Sequence, residues 1–345
     1  MKLRYRHFQL QFTHTFHIAA GARETTDAVF VSLEQDGKTG FGEIALPPYL
    51  QENVHTVFDF LSKAEIPDNY QPSQFFPLLE NWISKERMNY PALAALDIAL
   101  HDLQGKLLNI PLRRIYNIDD REVPFTAFTL GMSDALTMKQ KLETAKDYHL
   151  YKLKMGGGND AELLSNFRSL TQKPFCVDAN RGWDNEDAAA LFCDQLKREG
   201  CLFVEQPFEK TALDKTAALR LKTTLPVILD ETVQTVSDVD KVKEYCDGIN
   251  IKLVKCGGLY PAIQMMAKAR AYNLKVFIGC MSEGSCGCGS AAQISGLADW
   301  VDLDGPLLIK NDPFAGLQYN DGRIVLNDEP GNGLMPSRDF LNNWQ

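Results

Sequence analysis

Apolar and polar positions alternate at the start of the chain. MKLRYRHFQLQF reads as a strand with a two-residue period, and residues 28–46, AVFVSLEQDGKTGFGEIAL, read as a hairpin folded about Asp36-Gly37. The period then lengthens: apolar residues three and four apart predict helices over Asn53–Lys63, Ser73–Glu86 and Pro91–Leu107, with Pro91 suited to a first helical turn. Strands followed by helices make an α+β domain, ending near Glu122. From Val123 short apolar runs alternate with amphipathic helices. Eight strands are expected, near Phe125–Thr129, Tyr151–Lys154, Phe175–Asp178, Leu202–Glu205, Val227–Asp230, Ile249–Leu253, Lys275–Gly279 and Trp300–Asp304. Ser133, Asp184 and Ser237 are the expected caps of intervening helices, and Pro261 opens another. Repeated βα units of this kind close into a parallel barrel. The expected division is an α+β domain over 1–122, a barrel over 123–314, and a segment over 315–345 with one hairpin, VLNDEPG included, that returns to the first domain.

A chain of 345 residues has room for a barrel and a smaller companion. Its net charge of −9 offers no basic stripe for nucleic acid, and no apolar run approaches the roughly 20 residues of a membrane span. No secretory signal opens it, and eight scattered cysteines without a CxxC pair suit a reducing compartment, so a cytoplasmic protein is expected. The oligomeric state is left open, a homo-oligomer included.

Chemistry enters at the strand ends. Lys154, Asp178, Glu205, Asp230 and Lys252 each close an apolar run, at steps of 22 to 27 residues, one strand plus one helix. A buried charge is costly unless solvated, paired or bound to a metal, and active sites of parallel barrels gather at these ends. Strands two and six are opposite in a ring of eight, so Lys154 and Lys252 should face each other across the mouth, with Asp178, Glu205 and Asp230 on the arc between. Three converging carboxylates repel unless a cation neutralises them, and an all-oxygen set suits Mg²⁺. Lys152 shares the face of Lys154; their repulsion, with the metal's charge, should let Lys154 act as a general base while Lys152 contacts a substrate oxygen. Two opposed lysines can take a proton from one face of a carbon and return one to the other, through an enediolate.

In order and spacing, KxK, VDAN, VEQP, LDET and NIKLVKCGG resemble the enolase superfamily, in its muconate-lactonising subgroup, whose sites pair a lysine or histidine base with Mg²⁺. The resemblance spans nearly the whole chain, ALDIALHDLQGK included. It implies an α/β fold, a modified (β/α)7β barrel with an N-terminal α+β capping domain completed by the C-terminal segment, with Mg²⁺ on Asp178, Glu205 and Asp230. Asp302 and Asp304, two apart in WVDLDGPLL, resemble the pair with which dipeptide epimerases of this subgroup hold the substrate's ammonium. Arg23 is similar in kind to the arginine that meets an acidic side chain in Ala-Glu epimerases, but that arginine falls nearer Gly21, so a surface role for Arg23 is the alternative; small Gly21 and Ala22 would suit apolar second residues. Side-chain selection is expected from HIAAGARETT and from GCMSEGSCGCGSA. The expected activity is an isomerase that inverts the α-carbon of a dipeptide's C-terminal residue. Muconate-type cycloisomerisation, o-succinylbenzoate synthesis and a noncatalytic Mg²⁺-binding protein are the alternatives.

Overall fold

Strand β1 (Lys2–Ile18) pairs antiparallel with β2 (Gly21–Gln35), and β2 with β3 (Lys38–Leu46). The computed structural model describes residues 1–345 except 19–20, 85–87, 119–122, 343 and 345, with backbone alone for 15–18 and 21–22. The expected ends of one helix at Glu86 and of the first domain at Glu122 therefore lie outside the described residues, as does everything beyond the backbone at Gly21 and Ala22. The β2–β3 turn is the one the sequence predicts: Asp36 (φ 49°) and Gly37 (φ 71°) are both left-handed, which matches the twist of the strands they join. β1 and β2 pair as far as Ile18 opposite Gly21, which makes Arg23 of HIAAGARETT a strand residue.

Helices α1 (Val54–Ser62), α2 (Phe75–Ile83) and α3 (Tyr90–Leu108) cover one face of this sheet. Asn53 caps α1 and Asn89 caps α3, each accepting a first-turn amide. α3 is buried on all sides, and its carboxylates bond outside it: Asp97 accepts the amides of Leu259 and Tyr260, and Asp102 those of Phe41 and Asn332.

The barrel follows as β4 (Ala127–Leu130), α4 (Ala135–Thr144), β5 (Leu150–Lys154), α5 (Asp160–Leu170), β6 (Phe175–Asp178) and α6 (Glu186–Arg198). It continues as β7 (Cys201–Glu205), α7 (Leu213–Lys222), β8 (Val227–Leu229), α8 (Val236–Val242) and β9 (Gly248–Ile251). A single turn, α9 (Leu253–Cys256), precedes α10 (Leu259–Ala271); β10 (Lys275–Gly279), α11 (Ser285–Ala292) and β11 (Trp300–Asp302) complete the ring. The strands lie parallel in chain order, and a Thr126–Val301 bridge joins the last to the first. Seven strand–helix units and an eighth strand are what the (β/α)7β expectation requires. The caps differ from those expected: Asp134, Asn185 and Thr235 serve in place of Ser133, Asp184 and Ser237, and α10 opens at Leu259, two residues before Pro261. Asp134 and Asn185 cap because their side chains reach first-turn amides, whereas at Thr235 the Asp238 side chain accepts from the Thr235 amide and hydroxyl.

The C-terminal hairpin joins Gln318–Asn320 to Arg323–Val325 about Asp321-Gly322, so most of VLNDEPG lies beyond it. The chain then returns to the first domain, where Phe340 and Trp344 pack with Phe30 and Phe41, and Trp344 donates to Ser32 Oγ. Among the described residues no helix is long and apolar enough to cross a membrane.

Candidate active site

Side chains alternate along each barrel strand, so every second residue faces the axis. One inward layer is apolar, built from Ala127, Leu150, Cys176, Phe203, Ile228 and Phe277. Two residues further along, the layer turns polar: Lys152, Asp178, Glu205, Asp230, Asn250 and Asp302 are all buried. The apolar plug leaves these groups facing the C-terminal mouth. There a cavity of about 360 Å³ opens, bordered by Lys152, Lys154, Asp230, Lys252, Asp302 and Asp304 and closed by Arg23 and Tyr49 of the first domain. Asp178 and Glu205 lie at its base with no exposure.

Contacts balance the charges. Lys152 Nζ stands 2.8 Å from Asp302 Oδ2, 2.7 Å from Glu205 Oε2 and 3.2 Å from Asp178 Oδ2. Lys154 Nζ reaches the same Asp178 oxygen at 2.6 Å, so the repulsion expected within KxK is absorbed by a shared carboxylate. Across the mouth, Lys252 donates to Asp230 Oδ2 at 2.8 Å, and Asn250 to Glu205 Oε1 at 2.7 Å. Gly279 makes room for this side of the site, because a Cβ there would stand 2.8 Å from Asn250 Oδ1 and 3.1 Å from Lys252 Cε.

The carboxylates diverge in acidity. Burial pushes Asp178 up, but Lys154 and Lys152 outweigh it and bring the group down to about 2. Glu205 goes the other way, to about 8, because burial and then Asp178 outweigh Lys152. Asp230 is driven up by burial, yet Lys252 and Lys255 hold it well below the usual carboxylate range. Burial lowers Lys252, but Asp230 more than reverses that and leaves it raised.

Among the described residues no three His, Cys, Asp or Glu side chains already form a cage for an ion. Asp178, Glu205 and Asp230 hold ammonium groups instead. Glu205 Oε2 has Lys152 within ion-pair distance but out of line for a hydrogen bond. The proton that Glu205 holds up to about pH 8 and this orphaned oxygen mark a place where another cation would be welcome, and the all-oxygen trio fits Mg²⁺ in its donor chemistry.

Asp302 accepts from Lys152 and Thr129 Oγ1, and Asp304 accepts the Thr129 amide at 2.6 Å. Asp304 precedes a one-turn helix, Gly305–Leu308, but its carboxylate makes no cap bond there. Burial and then Asp302 push it up to about 7. On the facing wall, the Arg23 guanidinium lies 5.8 Å from the Phe12 ring and 5.6 Å from that of Tyr49. No described residue accepts a hydrogen bond from its Nε or Nη1, and burial lowers its affinity for the proton.

Of two further neighbours, the sequence reading does not reach Tyr49, and it sets Lys255 aside in favour of Lys252, as the start of a Lys-Cys-Gly-Gly loop. Tyr49 reaches Met281 Sδ at 3.2 Å, which fastens the first domain to the loop after β10. Lys255 is buried and donates to Asp230 Oδ1 at 2.5 Å. Strand periodicity hides it, because the expected strand ran to Leu253 whereas the chain turns helical there. A spacing of three within KLVK is the signal that α9 would bring both lysines to one side.

Two family models match the chain: "Mandelate racemase / muconate lactonizing enzyme, N-terminal domain" over residues 4–115 and "Enolase C-terminal domain-like" over residues 137–340. The chain belongs to the enolase superfamily. It is 41% identical over 337 residues to the L-Ala-D/L-Glu epimerase of Bacteroides thetaiotaomicron, covering 97% of this chain and 88% of that one. To the L-Ala-D/L-amino acid epimerase of Maribacter sp. it is 36% identical, covering 97% and 99%. The dipeptide epimerase of Methylococcus capsulatus, solved with Mg and the dipeptide L-Arg-D-Lys, superposes with a TM-score of 0.88 at 25% identity, covering 96% of this chain and 98% of that one. The expectations of this fold, and of an isomerase of the racemase and epimerase kind, are borne out by these relatives of the superfamily.

Proposed function

We propose that this superfamily member is a Mg²⁺-dependent dipeptide epimerase that inverts the α-carbon of the C-terminal residue by two-base proton transfer. The observation that carries the reading is that Lys154 and Lys252, from strands four apart in the ring, border one cavity from opposite sides. As an amine, one lysine takes the α-proton onto Nζ; as an ammonium, the other delivers its proton to the opposite face, and the reverse reaction exchanges their parts. Asp178, Glu205 and Asp230 would hold Mg²⁺, whose charge would stabilise the substrate carboxylate as the adjacent carbon becomes electron-rich. Lys152 borders the cavity where a substrate oxygen would lie. Asp302 and Asp304 take the substrate's N-terminal ammonium, a role supported by Asp304, which is buried and has no ammonium partner among the described residues. Arg23, on the far wall, meets the carboxylate of an acidic second residue, in keeping with the activity named for the Bacteroides relative. Eight free thiols among the described residues suit a cytoplasmic setting.

Incubation of the protein and Mg²⁺ with a dipeptide panel in D₂O tests this. Deuterium uptake at the C-terminal α-carbon with formation of both epimers is the expected result, fastest with an acidic second residue. Turnover of a muconate or an o-succinylbenzoate precursor without dipeptide exchange would replace the reading with one of those chemistries, and no turnover of any kind would leave a binding protein.

A further inference from the structure

Lys255 is surrounded by protein acceptors. Gly257 (φ 97°) and Gly258 (φ 119°) end the single turn α9, which carries Lys255 back beneath the end of β8. Its Nζ donates to Asp230 Oδ1 at 2.5 Å and to the Asp230 carbonyl at 2.7 Å, and stands 3.0 Å from the carbonyls of both Val233 and Asn250. An ammonium has three N–H bonds, so four protein acceptors leave none for substrate. Lys252 differs: among the described residues Asp230 Oδ2 is its one hydrogen-bond acceptor, which leaves it free to turn to a reacting carbon.

We propose that Lys255 is a positioning residue for Asp230, occupying Oδ1 and clamping the strand end so that Oδ2 alone is presented to a cation in the cavity. The same ammonium joins the ends of β8 and β9 through the Asp230 and Asn250 carbonyls, so the carboxylate and the strand bearing it are fixed together. Partners that orient a ligand in this way govern metal affinity without touching the metal.

This inference rests on the Mg²⁺ site proposed above, and its sign separates it from plain electrostatics. Removing a positive charge beside Asp230 should tighten cation binding if charge alone matters. If Lys255 positions the ligand, its loss should weaken binding. Mg²⁺ is titrated calorimetrically into substrate-free protein as the parent, Lys255→Met and Lys252→Met. The expected result is that Lys255→Met raises the Mg²⁺ dissociation constant by roughly 10- to 100-fold, while Lys252→Met leaves it unchanged or lowers it. Binding by Lys255→Met as tight as the parent's, or equal weakening in both variants, overturns the proposal. Should Lys255→Met fail to fold, Lys255→Gln, which keeps two N–H donors without the charge, carries the same test: weaker binding supports the clamp and tighter binding overturns it. A parent protein that binds no Mg²⁺ removes the metal site itself, an outcome distinct from failure of the clamp.

Discussion

At the barrel end of the cavity Lys152 is 1% exposed and stands against three carboxylates, whereas at the capping-domain end the half-buried Arg23 lies between two aromatic rings with Nε and Nη1 unaccepted by any described residue. Both are cations that have lost water. At the base Lys152, Lys154 and Lys252 each stand within ion-pair distance of a buried carboxylate, so much of their desolvation cost is offset within the protein. At the rim the offset is incomplete, and a guanidinium without full hydrogen bonding is a site held ready for an anion that is not part of the chain. Under the proposed function the base would do the same chemistry on any substrate, and the rim would choose among substrates.

The comparison breaks first if the base lysines prove dispensable. Lys154→Ala and Lys252→Ala should each lower epimerisation by about 10²- to 10⁴-fold or more, while Mg²⁺ binding is largely kept. Each should still exchange the α-proton of one epimer with D₂O, and the two variants should exchange opposite epimers, because each retains a base on only one face. Chiral analysis with mass detection reads both outcomes. Near-parent epimerisation in either variant removes that lysine from the reaction.

The two regions also differed in how far the sequence revealed them. At the base, a two-residue period and the spacing of one βα unit placed 152, 154, 178, 205, 230, 252, 302 and 304 on inward positions, because a barrel converts strand number into angle. That reading sets Lys255 in a loop beyond the strand, because its contact depends on a single helical turn, Leu253–Cys256, that no strand period encodes. Contacts across the domain joint were hidden for another reason: Glu43 meets Gly284 and Gly287 some 240 residues later, and no local pattern encodes that. At the rim, the sequence offered Arg23 only by resemblance. The burial and the rings of Phe12 and Tyr49, which give it meaning, follow from how a hairpin arm lies over the mouth.

Arg23 sharpens the comparison with a smaller effect. Arg23→Met should lower kcat/KM for a dipeptide ending in glutamate roughly 10- to 100-fold, the worth of a hydrogen-bonded charge pair. For a dipeptide with an apolar second residue, kcat/KM should change little. An equal loss on both substrates would mean that Arg23 shapes the wall without selecting among substrates, and specificity would then have to be sought in the loop after β10.

The smallest effect concerns the joint that holds rim to base. Glu43, on β3, accepts the amides of Gly284 at 2.6 Å and Gly287 at 2.9 Å, beside Asp312 and Glu283, just after the cavity-lining loop. Burial, then Asp312, raises it from 4.5 to about 8 even though those amides favour the ionised form. A carboxyl raised on folding binds its proton more tightly in the folded state, so its contribution is complete below the unfolded value and is lost as pH climbs through the folded one. The parent should therefore lose more stability between pH 5 and pH 8 than Glu43→Gln does, with urea midpoints read at both ends. The difference should be on the order of 1–3 kcal/mol. Because the groups around Asp178 titrate alike in both proteins, the difference reports Glu43 together with its neighbours Asp312 and Glu283. Parallel curves would show that Glu43 is ionised throughout and that the joint is a charged cap; a flatter curve for the variant would show the rim fastened to the base by a proton that the barrel's own charges do not need.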